Sequence, residues 1–369
     1  MKRIAVVVAL LAFCIVPVTA QAADAPTGKS AATSGANVKG AKKHIAPYLK
    51  RATPFPVDKP LKKKLPADYT VGIPVVGTPV GALLGRLWES AAQTAGVKSV
   101  TVKAGVTPSD TESAFDSLLA KKPDAIPVGG INPSFFVNAV KRAKAQGAKV
   151  TGTSIINPAK YGIQASTYDQ RVIALDGKLL ADWAIAKHGA KTNAVFWVVP
   201  ELAFTKTMGE AFTRQLKVRC PKCKVRTANI PVTQYGTAAT RIVSDMQSHR
   251  GTNVAAFGAT EAANAAPAAL RTAGIKVDII GQGTDPVSLG NLKSGNFKAM
   301  IAFDAGVLAW TTLDEAFRLS LKQPLTKLEK ASLIPIRLLE PKTVPKDISK
   351  GYSAYPNFAA RFAKLWNPR

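Results

Sequence analysis

Lys121-Lys122-Pro123-Asp124-Ala125-Ile126-Pro127-Val128, a helix from about Pro133, and then Lys141-Arg142-Ala143-Lys144-Ala145-Gln146-Gly147-Ala148-Lys149-Val150 make one strand–helix–strand step. Pro123 cannot continue the helix before it. Ala125 to Val128 is a short apolar run of strand length. Gly147 can adopt the left-handed conformation that ends a helix. The same order returns at Leu270-Arg271-Thr272-Ala273-Gly274-Ile275-Lys276-Val277, ahead of Ile279-Ile280-Gly281. Short apolar runs alternating with helical runs imply parallel strands joined by right-handed crossovers.

Working outward in both directions, the alternation persists. Tyr69 to Val76 reads as a first strand, Ala82 to Ala95 as a helix stopped by Gly96, and Val97 to Ala104 as a second strand. Thr107-Pro108-Ser109-Asp110 is a turn and helix start, with Pro108 tolerated in the first turn. Strands at Ala125 to Val128, Val150 to Ser154 and Tyr161 to Thr167 follow, then a long helix from Asp169 to His188. A second βα series begins at Ala194-Val195-Phe196-Trp197-Val198-Val199, whose lack of polar residues fits a strand covered on both faces. Helices are expected at Phe204 to Val218, Thr237 to Gln247 and Glu261 to Ala273. Strands are expected at Val225 to Ile230, Val254 to Gly258, Ile279 to Gly283 and Lys298 to Phe303. A long helix from Asp304 to Leu321 closes the series.

The chain has 369 residues and a formal net charge of +27. That length favours two domains over one. The positive excess fits an anionic surface or nucleic acid, but the basic residues are spread over many helices, the pattern of a basic secreted protein. Met1-Lys2-Arg3, the apolar run Ile4 to Val18 and Ala20-Gln21-Ala22 form an export signal, residues 1–22, cut near Ala22. In Leu11-Ala12-Phe13-Cys14 the bulky Phe13 argues against a lipoprotein site. Export to the periplasm or cell envelope is the expectation. Residues 23–66 carry ten basic residues against two acidic ones, a Pro- and Lys-rich composition that reads as a solvated linker. A turn around Ala46-Pro47-Tyr48-Leu49 is its one candidate for packing on the body.

The chemistry-bearing residues are few. No phosphate loop or dinucleotide fingerprint appears, and Gly77-Thr78-Pro79-Val80-Gly81 lacks the Gly-Lys-Ser/Thr ending. His44, His188 and His249 are scattered and give no metal spacing. No nucleophile elbow is present. An enzyme is therefore not expected, and neither is a cofactor or a metal. Cys220-Pro221-Lys222-Cys223 lies between a helix and a strand; in an exported chain it reads as a short-loop disulfide.

The signal peptide and this element order resemble the type I periplasmic solute-binding proteins of ABC transporters, the ribose-binding-like family. The resemblance covers Asp68 to Pro341. It is carried by Lys122-Pro123-Asp124-Ala125-Ile126, Ala145-Gln146-Gly147-Ala148-Lys149-Val150, Met208-Gly209-Glu210-Ala211-Phe212 and Ala268-Ala269-Leu270-Arg271-Thr272-Ala273-Gly274. It implies an α/β fold of two Rossmann-like lobes with parallel sheets, hinged by three crossing segments. These are expected near His188, Phe303–Asp304 and Leu333–Pro335. The lobes are then 67–188 plus 304–333, and 189–303 plus 334–369 with the tail. Phe358, Phe362 and Leu365 share a helical face there, so the tail is expected to dock.

In open parallel sheets ligands sit beyond the carboxyl ends of the strands. With the resemblance, this gives Thr78, Pro79, Tyr168, Asp169, Phe204, Lys206, Thr260, Glu261, Gly283, Asp285 and Phe303 as ligand-site candidates. Trp183, Trp197 and Trp310 read as core. Where sugar-binding members of the family place Arg, this chain has Lys206. Their Asn-Asp pair is Ala259-Thr260, their Asp is Gly283 with Asp285 two residues on, and a Gln is Phe303. These departures argue against a simple pentose or hexose. The implied partners are a small molecule and a membrane permease, with the protein a monomer. A sensor that signals through a membrane receptor, or a plain sugar binder with a divergent pocket, would share the fold. A DNA-binding regulator of the lactose-repressor kind would need an N-terminal helix-turn-helix; residues 1–66 offer an export signal and a linker instead, so no nucleic acid is expected.

Overall fold

The computed structural model describes residues 35–367. The expected export signal, residues 1–22, lies outside them. The first element is α1 (Val38–Lys50), followed by β1 (Thr70–Val76), α2 (Pro79–Thr94), β2 (Lys98–Ala104), α3 (Pro108–Leu119) and β3 (Ala125–Gly129). Next come α4 (Val137–Ala145), β4 (Lys149–Thr153), β5 (Ala165–Thr167), α5 (Gln170–His188), β6 (Asn193–Val198) and α6 (Ala203–Arg219). β7 (Lys224–Asn229), α7 (Ala238–Ser248), β8 (Val254–Phe257), α8 (Ala266–Thr272), β9 (Asp278–Gly283) and α9 (Pro286–Lys293) continue the second series. The chain closes with β10 (Phe297–Phe303), α10 (Ala305–Ser320), α11 (Lys327–Lys330), β11 (Ile336–Leu339) and α12 (Phe358–Trp366).

Two sheets result. One has the order β2-β1-β3-β4-β5 and is parallel throughout; the other runs β11-β10-β9-β8-β6-β7, with only β11 antiparallel to its neighbour. The stretch that organises the sequence also does so in space. Every residue of β3 is buried. The Asp124 carboxylate accepts the Thr70 N–H at 2.8 Å, which sets β3 beside β1. Gly147, at φ +90°, ends α4, and the next N–H, of Ala148, closes on the Ala143 carbonyl. Side chains alternate across β6. Phe196 and Val198 face the core that runs through α5 and α6, while Val195 and Trp197 face the one under α7 and α9.

Three expectations are corrected. First, α5 packs against α6, β9 and β10, so it belongs to the second sheet. The chain therefore changes lobes before this helix, over Thr167–Gln170, and not near His188. The physical reason is that α5 is buried along much of its length, under α6, the second sheet and α1, and none of these belongs to the first sheet. The return passes Phe303–Ala305, because α10 packs on α2, β3, β4 and β5; the third passage is Ser332–Ile336, which enters β11. The three passages bind one another: Tyr168 N–H donates to the Ser332 carbonyl at 3.0 Å, and Asp304 N–H to that of Pro335 at 2.9 Å.

Second, the described part of the 23–66 segment is not a solvated linker. Ala41 and Ile45 of α1 are buried against α5, and His44 Nδ1 lies 2.6 Å from the buried Asp182 carboxylate, which Arg219 also reaches at 2.8 Å. Beyond α1, Phe55, Val57 and Leu61 are buried. The many lysines hid a sparse apolar stripe that suffices once other surfaces complete it.

Third, the tail does dock, but α12 packs on α10 and α2 of the first lobe. Trp366 stacks on Trp310 with ring centroids 5.1 Å apart, and its indole N–H donates to Asp314 at 2.6 Å. Two helices are also shorter than the periodicity predicts. A 3-10 turn at Pro133–Phe135 precedes α4, and another at Thr260–Ala263 precedes α8.

Candidate functional site

The carboxyl ends of both sheets face a common cleft. From the first lobe, the junction of β1 and α2 supplies Thr78 and Val80, the end of β3 supplies Gly129 and Gly130, and Ser154 follows β4. Leu84 of α2 and Leu308 of α10 form the floor on that side. From the second lobe come Leu202 and Phe204 at the start of α6, Thr260 and Glu261 after β8, and Gln282, Gly283 and Asp285 around the end of β9, with Phe303 at the hinge. The cavity between them measures about 50 Å³ as space open to the centre of a water molecule. A single water needs only ~10–15 Å³ by that measure, so there is room for a compact small molecule.

Local chemistry explains the placement. Thr78 N-caps α2: its hydroxyl accepts the Gly81 N–H at 2.9 Å, and Pro79 takes the first helical position. Asp285 N-caps α9, with Oδ1 accepting from Val287 and Ser288 at 3.1 and 2.9 Å. Its other oxygen, Oδ2, is buried without a hydrogen-bond partner. Gly283 must lack a side chain, because a Cβ there would lie 2.0 Å from Thr260 Oγ1.

The lobes touch across the cleft. Glu261 Oε2 accepts the Val80 N–H at 3.1 Å, so a carboxylate of one lobe sits at the α2 N-terminus of the other, where the helix dipole favours negative charge. Asn132 N–H donates to the Glu201 carbonyl at 2.8 Å at the rim. Burial pushes the Glu261 carboxyl up to about 7; the Val80 N–H opposes this, and the Asp285 charge adds to it.

The cleft brings together Thr78, Phe204, Thr260, Glu261, Gly283, Asp285 and Phe303. It does not bring in the other four candidates. Pro79 starts α2 on the exposed side. Lys206 is exposed and lines a separate surface groove with Gly209 and Glu210, because two residues along α6, roughly half a turn, point it away from Phe204. Asp169 N-caps α5 and is held by Arg171 at 2.8 Å. Tyr168 is fully buried one layer behind the wall, with φ +57°. Its hydroxyl donates to Asp176 and accepts from Gln282 at 2.9 Å, and its ring packs on Phe303 at 5.6 Å. It positions the wall without lining it.

Sequence reasoning missed Gly129, Gly130, Ser154 and Gln282. The first three directly follow or end strands β3 and β4, so the rule that ligands lie beyond strand ends would have found them. Trp183, Trp197 and Trp310 are buried and none lines the cavity. Cys220 and Cys223 are joined in a disulfide, as their setting between a helix and a strand implied. Among the described residues no group of three or more His, Cys, Asp or Glu could hold a metal ion, and no helix is long and apolar enough to cross a membrane.

Two parallel-sheet lobes, three linked crossings and a cleft at the strand ends define a two-lobed α/β protein of the type that encloses a ligand. A family model described as a periplasmic binding protein domain matches residues 71–324, and the chain belongs to that family. No curated protein matches at the sequence level. Solved structures with a similar fold include an ABC transporter solute-binding protein from Burkholderia graminis in complex with D-arabinose. It is 16% identical, with a TM-score of 0.65, covering 78% of this chain and 99% of that one. The Caulobacter myo-inositol binding protein bound to myo-inositol is 19% identical, with a TM-score of 0.64, covering 77% and 96%. The XylFII-LytSN complex contributes a chain 14% identical, with a TM-score of 0.65, covering 76% and 100%. At these identities the likeness is one of fold.

Proposed function

We propose that this protein is an exported, non-enzymatic solute-binding protein of an ABC importer. A small molecule enters the cleft, residues of both lobes contact it, hinge closure buries it, and the closed form delivers it to a membrane permease. The observation that carries this reading is the cavity walled from both lobes at the strand ends. Closure is favoured only by contacts the closed state adds, and Thr78, Val80, Phe204 and Glu261 lie where such contacts form. Thr260, Gly283, Asp285 and Phe303 complete the proposed ligand set, and a simple pentose or hexose remains disfavoured. The 1–22 segment is proposed as the export signal, the lobes as 67–167 plus 305–332 and 170–303 plus 336–339, and the working state as a monomer.

Native mass spectrometry of the mature protein as purified, followed by denaturing extraction, tests this. A co-purified small molecule at near-unit occupancy is expected. Bare protein that also shows no thermal shift with sugars, polyols, aromatic acids or amines would refute it. A second reading is a ligand sensor that docks on a receptor, and the similar fold captured in the XylFII-LytSN complex favours keeping it. Capture of a membrane-receptor domain, and no permease, by the ligand-loaded protein would select that reading.

A further inference from the structure

The polar groups facing the cleft are unevenly matched. Glu261 and Asp285, both less than one-tenth exposed, put two carboxyl groups on the wall of one cavity. Asp285 Oδ2 has no partner at all, and Glu261 spends one oxygen on the Val80 N–H. No Lys, Arg or His lines the cavity among the described residues. Of the side-chain donors, Thr260 Oγ1 pairs with Ser288 at 2.9 Å and Gln282 donates to Tyr168, which leaves the neutral hydroxyls of Thr78 and Ser154. The site therefore sets two carboxyl groups against two neutral hydroxyls, and acceptors outnumber donors. Apart from Thr78 and Ser154 the remaining wall is mainly apolar, with Val80, Leu84, Leu202 and Leu308 beside the two aromatic rings of Phe204 and Phe303.

A sugar hydroxyl both donates and accepts, so a ring bearing several of them needs protein donors as well as acceptors. A primary ammonium donates three hydrogen bonds and accepts none. It also relieves the repulsion between two neighbouring carboxylates, and aromatic faces attract it. We propose that the cleft selects a small primary amine with an apolar body, its ammonium held between Glu261 and Asp285 and its body against Phe204, Phe303 and the leucines. This rests on the solute-binding reading above and specifies its ligand class. The overall positive charge of the chain does not oppose it, because charges beyond about 8–10 Å are screened at physiological salt, while the two carboxylates act at contact.

The test is calorimetric titration of the mature protein, freed of bound solute by unfolding and refolding, at pH 8. The probes are 2-phenylethylamine and butylamine, their neutral counterparts 2-phenylethanol and butan-1-ol, and D-arabinose and myo-inositol. An amine is expected to bind at least 10-fold more tightly than the matching alcohol. Glu261→Gln and Asp285→Asn keep an oxygen to accept from Val80 and from Val287 and Ser288, so they preserve the caps while removing charge. Each is expected to lower the amine-to-alcohol preference at least 10-fold, with unchanged circular dichroism. Binding of a sugar or inositol without binding of either amine would overturn the amine inference and leave the solute-binding reading standing. Equal affinity for amine and alcohol would overturn it too. Binding of none of the six would overturn the amine inference, while the solute-binding reading is judged by co-purified ligand and the broader thermal-shift screen.

Discussion

Replacing Glu261 with Gln in the ligand-free protein has a calculable effect on stability. The carboxyl is 8% exposed and held up to about 7, mainly by burial, against an ordinary value of 4.5. A carboxyl raised in the folded state binds protons more tightly there than in the unfolded chain. Its contribution is therefore fully present below pH 4.5 and is lost as pH rises to about 7. That interval corresponds to about 3 kcal/mol. Glutamine keeps the acceptor for the Val80 N–H and never ionises. The expected difference, variant minus wild type, is near its minimum at pH 4.5, grows through pH 5 to 7, and levels off about 3 kcal/mol higher above pH 7. Urea unfolding of both proteins at half-unit steps from pH 4.5 to 8.5 measures it. A flat difference across that range would refute the placement of this carboxyl in a desolvated cleft. A variant that loses stability relative to wild type as pH rises would do so more directly, because it would make the ionised form the stabilising one.

Gly283→Ala would press a methyl into Thr260, and such overpacking costs about 1–3 kcal/mol; thermal melts should show a lower Tm, and wild-type stability would reject the close approach. Trp366→Ala removes a ring that stacks on Trp310 and packs on Phe317 and Phe362. A loss of about 3–5 kcal/mol is expected in urea unfolding, and a loss under 1 would mean the tail helix is not docked. Reducing Cys220–Cys223 opens only a four-residue loop, for which chain entropy gives about 2 kcal/mol; a protein that fails to fold under reductant would contradict so local a role. Glu315 is wholly buried, neither of its oxygens is hydrogen-bonded, and burial together with Glu329, Asp314 and Asp169 holds its carboxyl well above the usual range. Glu315→Gln should therefore raise the urea midpoint at pH 8 and change it less at pH 4.5.

The repeating strand–helix step was legible because its signals are local. Pro123, Gly147 and Gly274 punctuate helices whatever surrounds them, and an apolar run such as Ala194 to Val199 announces a strand covered on both faces. The loops after β1, β8 and β9 were legible as site candidates for the same reason. They follow strand ends, and Thr78 and Asp285 have the cap chemistry that fixes a helix start there.

Everything else depended on partners distant in sequence. Nothing in residues 170–188 says which sheet α5 will cover, since a helix buried on most sides fits either lobe until α6 is seen beside it. Residues 35–66 read as linker because their apolar residues are too sparse to form a core alone. They become structure only when α5, Ile336 and α12 supply the other half of each contact. The cleft shows the same division. The sequence by itself determined two βα series and the residues at their strand ends. The tertiary structure alone decided that Glu261 of one lobe meets the α2 N-terminus of the other. It also decided that Asp285 is left with an unpaired oxygen and that Lys206 points away. Burial and hydrogen-bond satisfaction are properties of assembled neighbours, and no single stretch of chain contains them.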